Sequence, residues 1–203
     1  MQERFRSFLP VVVDIETGGY NEKTDALLEF AVVVIGVDRN FKLYEKTTLH
    51  YHVKPFQGSN LEATALKVNG IDPYSPLRLA LDEREALTTA FNKIHAELQY
   101  YRCSRAILVG HNSFFDLKFL NAAIHRSNVK NNPFHKFSSL DTVTLGALAY
   151  KQTVLAKIAD VAGYEWNANS AHSALYDAQA TAKVFCKIFN SYETLPSANK
   201  ESL

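Results

Sequence analysis

The first long apolar run, Leu9 to Gly19 (LPVVVDIETGG), closes on two acids one residue apart and then on two glycines. A buried strand over Val11–Ile15 accounts for the run. Side chains alternate faces along a strand, so Asp14 and Glu16 point the same way at its carboxyl end. Two further segments, 23–38 and 41–56, are rich in β-branched and aromatic residues and are separated by the turn-forming Asp38-Arg39-Asn40. Three consecutive strands in an antiparallel meander follow, with Tyr44, Thr48, His50 and His52 on one face of the third. After a short helix-compatible stretch, 61–68, the residues Gly70, Pro73 and Pro76 punctuate a turn. From Asp82 to Tyr101 the apolar residues Ala86, Leu87, Ala90, Phe91, Ile94 and Leu98 recur at three and four, the mark of a one-sided helix. Strands are expected at 106–109 and 137–140, and helices at 117–127, 142–149, 154–162 and 173–189. The pattern is that of an α/β protein with a mixed sheet, a three-strand meander plus parallel strands, flanked by helices.

Composition narrows this picture without naming a chemistry. The chain has 203 residues, 47% of them hydrophobic, enough to bury the core of one domain, expected over residues 1–192, with a polar tail at 193–203. Two distant cysteines, Cys103 and Cys186, fit a reducing compartment. The amino-terminal residues lack the apolar run of a signal peptide, and no run reaches the ~18 apolar residues a membrane helix needs, so a cytoplasmic protein is expected. A net charge of +1 says little, but its distribution says more: no acid falls between Asp116 and Asp141, where Lys118, Arg126, Lys130 and Lys136 lie beside His125 and His135. With Arg4 and Arg6 these form either a solvated face or a track for a phosphate backbone.

The acids carry the chemical argument. Asp14 and Glu16 repel unless a cation lies between them, and hard oxygen ligands suit magnesium or manganese. Acid-x-acid pairs also arise by chance, as Glu83-x-Glu85 does, so these two could simply close a core strand. His50 and His52 likewise admit either a metal or a satisfied pair. Asp116 either completes a capping box with Ser113 or faces the acids of the first strand. Asp177 suits the first turn of the last helix behind a Ser173 cap. His172 has no such structural account; beside metal-binding carboxylates it is a candidate general base.

Taken in order, Asp14-x-Glu16, His111-Asn112-x-x-x-Asp116 and His172-x-x-x-x-Asp177 resemble the three motifs of the DEDDh exonucleases, which have a ribonuclease H-like fold. A sister group carries a tyrosine four residues before the last acid; Ser173 stands there in this chain, which indicates the histidine branch. KTDALLE, TTLHYHVKPF, NGIDP, NPFHKF and AHSALYDAQATA extend the likeness over residues 4–189 and narrow it within that branch. The resemblance implies a homodimeric 3′-to-5′ exoribonuclease that trims single-stranded 3′ ends of transfer RNA and other stable RNAs. A kindred alternative is an enzyme of short oligoribonucleotides or single-stranded DNA ends, and a binding module that lost catalysis is the rival from another class.

It also implies roles. Two Mg2+ ions, replaceable by Mn2+, would be held by Asp14, Glu16, Asp116 and Asp177, with Asp14 shared, and His172 would take the proton of the attacking water. Tyr20, Phe115 and Phe137 match base-stacking positions, and Arg4, Arg6, Arg105 and Lys130 match a basic patch that feeds RNA to the partner subunit. Asp141 is expected to bond backbone near the site. The chain departs from the family pattern at Thr64 and Val68, where a glutamate and a phenylalanine would touch the terminal bases, so weaker discrimination against 3′-terminal cytosine is expected.

Overall fold

The computed structural model describes residues 1 and 4–192; the expected polar tail, 193–203, lies outside the described residues. Five strands, β1 (Phe8–Thr17), β2 (Leu27–Val37), β3 (Leu43–His52), β4 (Arg105–Gly110) and β5 (Phe134–Asp141), form one sheet in the order β3-β2-β1-β4-β5. The first three pair antiparallel, and β4 and β5 run parallel to β1. Helices α1 (Ala63–Asn69), α2 (Glu83–Tyr101), α3 (Ser113–Arg126), α4 (Thr142–Tyr150), α5 (Leu155–Val161) and α6 (Ala174–Tyr192) flank it. The expected mixed sheet is therefore present.

Alternation along β1 sorts its residues between two cores. Leu9, Val11, Val13 and Ile15 pack with Phe30, Val32 and Val34 against the apolar stripe of α2 and against Leu117, Phe119 and Leu120 of α3. Val12 faces the other way, with Ala31, Val33 and Val109, onto Ala174, Ala178, Ala182 and Phe185 of α6. Asp14 and Glu16 continue the Val12 series, so both acids emerge under the start of α6. Phe30 is fully buried, and its truncation to alanine would cost about 3–5 kcal/mol.

Three local expectations give way to the structure. β5 begins at Phe134 rather than Phe137, because Phe134 is a buried core residue followed by the half-exposed or exposed His135, Lys136 and Phe137, an edge-strand pattern that hides its start. The pairing of β3 slips at Lys46, since Val34 opposes Thr47 while Ile35 opposes Glu45. That bulge turns Tyr44 to the α2 side and leaves Thr48, His50 and His52 on the α6 side. Finally, Asn112, not Ser113, is the N-cap of α3, in left-handed conformation (φ 63°) and without a side-chain cap bond. The capping oxygen comes from Asp141, which accepts the Ser113 N–H at 2.9 Å.

Candidate active site

The four acids reach one place from three elements at the carboxyl ends of β1 and β4. Asp14 and Glu16 come from β1, Asp116 from the first turn of α3 and Asp177 from the first turn of α6. One oxygen each of Asp14, Glu16 and Asp177 lies within 4.8 Å of the others. Asp116 is almost fully buried and acts electrostatically on Asp14. Its position needs Gly110, because a Cβ there would meet Ser113 Cα at 3.0 Å and Asp116 Oδ2 at 3.2 Å.

Packing like charges has a protonation cost. Burial, then Asp116, Asp177, Glu16 and Glu29, raise the pKa of Asp14 well above the carboxylate range. Burial, then Asp177 and Glu29, push Glu16 up to about 8, against the opposing influence of Asn69. Asp116 and Asp177 are raised by burial too, partly offset for Asp177 by the N–H and charge of His172. Asp177 Oδ1 is buried and makes no hydrogen bond. Clustered carboxylates, one with an unpartnered buried oxygen, are a donor set that fits a divalent cation.

A testable consequence concerns the protein without metal. Folded-state pKa values raised above unfolded ones stabilise the fold below the unfolded value, and that stability is lost as pH rises through the folded value. For Glu16 the window runs from 4.5 to about 8. In the presence of chelator the melting temperature should fall as pH is raised across this window, and magnesium should flatten the decline. Thermal melts at about pH 5 and pH 9, with and without the ion, measure both.

His172 sits on the exposed turn before α6, in left-handed backbone (φ 62°), and its N–H donates to Asp177 Oδ2 at 3.1 Å. The turn thereby ties the histidine to one of the acids. Ser173 stands at the N-cap position, its C=O accepting the Asp177 N–H at 3.0 Å, and the first N–H of α6, that of Ala174, is accepted by Glu29 Oε2 at 3.2 Å.

The loop after β1 carries Tyr20, 73% exposed, whose ring meets Phe115 edge-on with centroids 6.3 Å apart. Phe115 is half-buried against Phe119, while Phe114 points outward. Lys118 joins the pair, donating to Tyr20 O at 3.0 Å with its ammonium 5.2 Å from the Phe115 ring centre. Beneath the loop Asp25 is fixed by Asn21 N–H, Thr24 Oγ1 and Asn60 Nδ2. Any Cβ at Gly19 would collide with that carboxylate. Phe137, 78% exposed on β5, packs edge-on against His135.

The basic residues divide. Arg6, Arg105 and Lys130 are exposed near the amino ends of β1, β4 and β5, the end of the sheet opposite the acids. Arg4 is held at the same end by the β2–β3 turn, donating to Phe41 O at 2.9 Å and lying over Phe189. Arg126, a neighbour in the acid-free run, forms a bidentate pair with buried Glu83 at 2.6 and 3.0 Å and stacks on Phe56. That cation is structural.

Three residues outside the three acid-bearing motifs have clear parts in the site. Glu29 pairs across the sheet with Glu16; the signal was an acid inside the otherwise apolar β2, in phase with Ala31 and Val33. Asn69, at the end of α1, donates to Thr17 O at 3.1 Å and so docks α1 on the end of β1. Asp141 accepts from Ser113 and Val143 and fixes the starts of α3 and α4.

Comparison with known proteins agrees with this geometry. The sequence model of the exonuclease family matches residues 11–185. Ribonuclease T of Vibrio campbellii is 52% identical over 196 residues, 96% of this chain and 92% of that protein. Ribonuclease T of Buchnera aphidicola is 49% identical over 195 residues, 96% of this chain and 90% of that protein. Among solved structures, the nuclease domain of 3′hExo, a DEDDh family member bound to rAMP, aligns with a TM-score of 0.67 at 19% identity, covering 90% of this chain and 92% of that one. Exonuclease I of E. coli with a dT13 oligonucleotide aligns with a TM-score of 0.64 at 18% identity over 88% of this chain, which spans 40% of that longer protein. The sheet order, the four converging acids and half-identity over nearly the whole length lead to one assignment: the chain belongs to the ribonuclease T family of DEDDh exonucleases, with a ribonuclease H-like fold.

Proposed function

We propose that the chain, a 3′-to-5′ exoribonuclease of this family, removes nucleotides one at a time from single-stranded 3′ ends of transfer RNA and other stable RNAs as a cytoplasmic homodimer. The observation that carries the reading is the convergence of Asp14, Glu16, Asp116 and Asp177 at one end of the sheet with His172 tied to Asp177. Two divalent cations, Mg2+ with Mn2+ able to substitute, supply charge stabilisation for the attacking and leaving oxygens when bound. Asp14, Glu16 and Asp177 would hold one and Asp116, with Asp14 shared, the other. His172 would accept the proton as a water oxygen bonds to the scissile phosphorus, and the bond to the 3′ oxygen breaks as that oxygen takes up a proton from solvent. The products are a nucleoside 5′-monophosphate and an RNA shorter by one.

Tyr20 and Phe115 would stack the terminal bases, each stack being worth roughly 1–3 kcal/mol, and Phe137 would meet the strand further along. Thr64 and Val68 share the exposed face of α1, the helix docked beside Glu16. Neither replaces a stacking ring, so a 3′-terminal cytosine should inhibit degradation less than it does in the family, and an equally strong block would count against this. The test is one assay of 3′-tailed RNA, a short oligoribonucleotide and single-stranded DNA, with magnesium and then with chelator. Stepwise release of 5′-monophosphates, fastest on the tailed RNA and abolished by chelator, is expected; preference for either other substrate would displace the RNA-trimming role.

Arg4, Arg6, Arg105 and Lys130, at the far end of the sheet from the acids, support a patch that serves the partner subunit's site. Charge reversal of Arg105 and Lys130 together should weaken RNA binding and reduce the slope of log affinity against log salt by about one or two. Binding titrations at several salt concentrations measure this, and an unchanged slope would leave both residues as solvated surface.

A further inference from the structure

Glu29 is flanked by two imidazoles, those of His50 and His52. The register sets His52 directly opposite Glu29 and His50 opposite Ala31, so all three side chains rise on the α6 side of the sheet. His52 Nδ1 lies 3.1 Å from Glu29 Oε1 and His50 Nε2 lies 3.4 Å from Oε2. Both nitrogens are buried at the atom level and within ion-pair distance of Glu29, but neither is well aligned for a hydrogen bond to it. The rings stand edge to face, with centroids 4.8 Å apart and planes inclined by 71°. A nitrogen close to an oxygen yet making no hydrogen bond to it is costly to bury unless something else takes its lone pair.

We propose that Glu29, His50 and His52 form a binding site for a divalent transition-metal ion of the zinc class, distinct from the carboxylate site of Asp14, Glu16, Asp116 and Asp177. The donor set is the two-histidine, one-carboxylate type that suits borderline ions, whereas the neighbouring acids are all-oxygen and suit magnesium. Bonds of about 2.0–2.2 Å at tetrahedral angles set ligand atoms roughly 3.3 Å apart, close to the two nitrogen–oxygen separations observed. The single group of donor atoms lies within 4.8 Å of itself, so small rotations would close it on an ion. The guanidinium of Arg78, whose charge reaches Glu29 and His52, donates to Leu28 O at 2.6 Å and Pro73 O at 3.2 Å.

Occupancy would have a structural consequence. Glu29 Oε2 also receives the N–H of Ala174, the first residue of α6. An ion on Glu29 would thus join β2 and β3 to the helix start that follows His172 and carries Asp177, and would stiffen that turn from behind.

The experiment is zinc binding in excess magnesium, read by titration, by thermal melting and by anomalous scattering at the zinc edge from crystals of the full chain. The unaltered protein should bind zinc, melt at higher temperature in its presence and show an anomalous peak among Glu29, His50 and His52. Asp14→Asn should keep that site, and His52→Gln should weaken zinc binding at least ~10-fold while retaining magnesium-dependent activity. An anomalous peak confined to Asp14, Glu16 and Asp177, or zinc affinity unchanged in His52→Gln, would overturn the proposal. If His52→Gln does not fold, the position of the anomalous peak in the unaltered protein still decides. The zinc readouts do not depend on RNA as substrate, so their failure would leave the nuclease reading standing.

Discussion

Asp14→Asn is expected to lower turnover on 3′-tailed RNA by at least ~1,000-fold, which corresponds to about 4 kcal/mol of transition-state stabilisation. Asp14 lies within 4.8 Å of Glu16 and Asp177 and feels the charge of Asp116, so its loss would touch both halves of a two-ion site. Because one buried carboxylate is removed together with its repulsion by Asp116, Asp177, Glu16 and Glu29, the variant should be at least as stable to heat without metal as the unaltered chain. A single-turnover assay with saturating magnesium and a melt in chelator separate these effects. Retention of full magnesium-dependent cleavage would refute the shared-ligand role.

The second large effect falls on His172. Removing a general base typically costs a factor of about 100 to 10,000, and His172→Ala should show that loss in kcat with RNA affinity within about twofold of the original. The backbone contributes separately, because the His172 N–H holds Asp177 through a left-handed residue. His172→Asn tolerates that conformation and keeps the N–H, so it should lose the base while preserving metal affinity. Added imidazole should restore part of the rate to either variant. A defect in binding alone would assign His172 to RNA contact instead.

Much of this was readable from residue order because it rests on short-range periodicity. The alternation that sends Asp14 and Glu16 to one face follows from β1 itself, and the α2 stripe follows from spacing at three and four. What escaped depends on contacts between distant segments. Asp141 caps α3 from 28 residues away, so Ser113 looked like the cap on local spacing. Glu29 reaches Ala174 across 145 residues, and no local pattern joins a strand acid to a helix start. The bulge at Lys46 leaves the even spacing of Tyr44, Thr48, His50 and His52 intact while placing them on opposite sides. Arg126 lay in an acid-free run and read as free charge, yet its partner Glu83 comes from another helix.

Asp141 gives the fold a lever. One of its oxygens accepts the N–H and hydroxyl of Ser113 at 2.9 and 3.1 Å, and the other accepts the Val143 N–H at 2.8 Å. The first turn of α3, and with it Asp116, is therefore registered against the end of β5 rather than against its own preceding loop. Tolerances at a reacting centre are tight, and misplacement by about 1 Å can cost 100-fold in rate. Packing errors introduced on the edge strand, at Phe134 for instance, would travel along β5 and reach the chemistry as lost alignment, in an enzyme whose metal ligands were all intact.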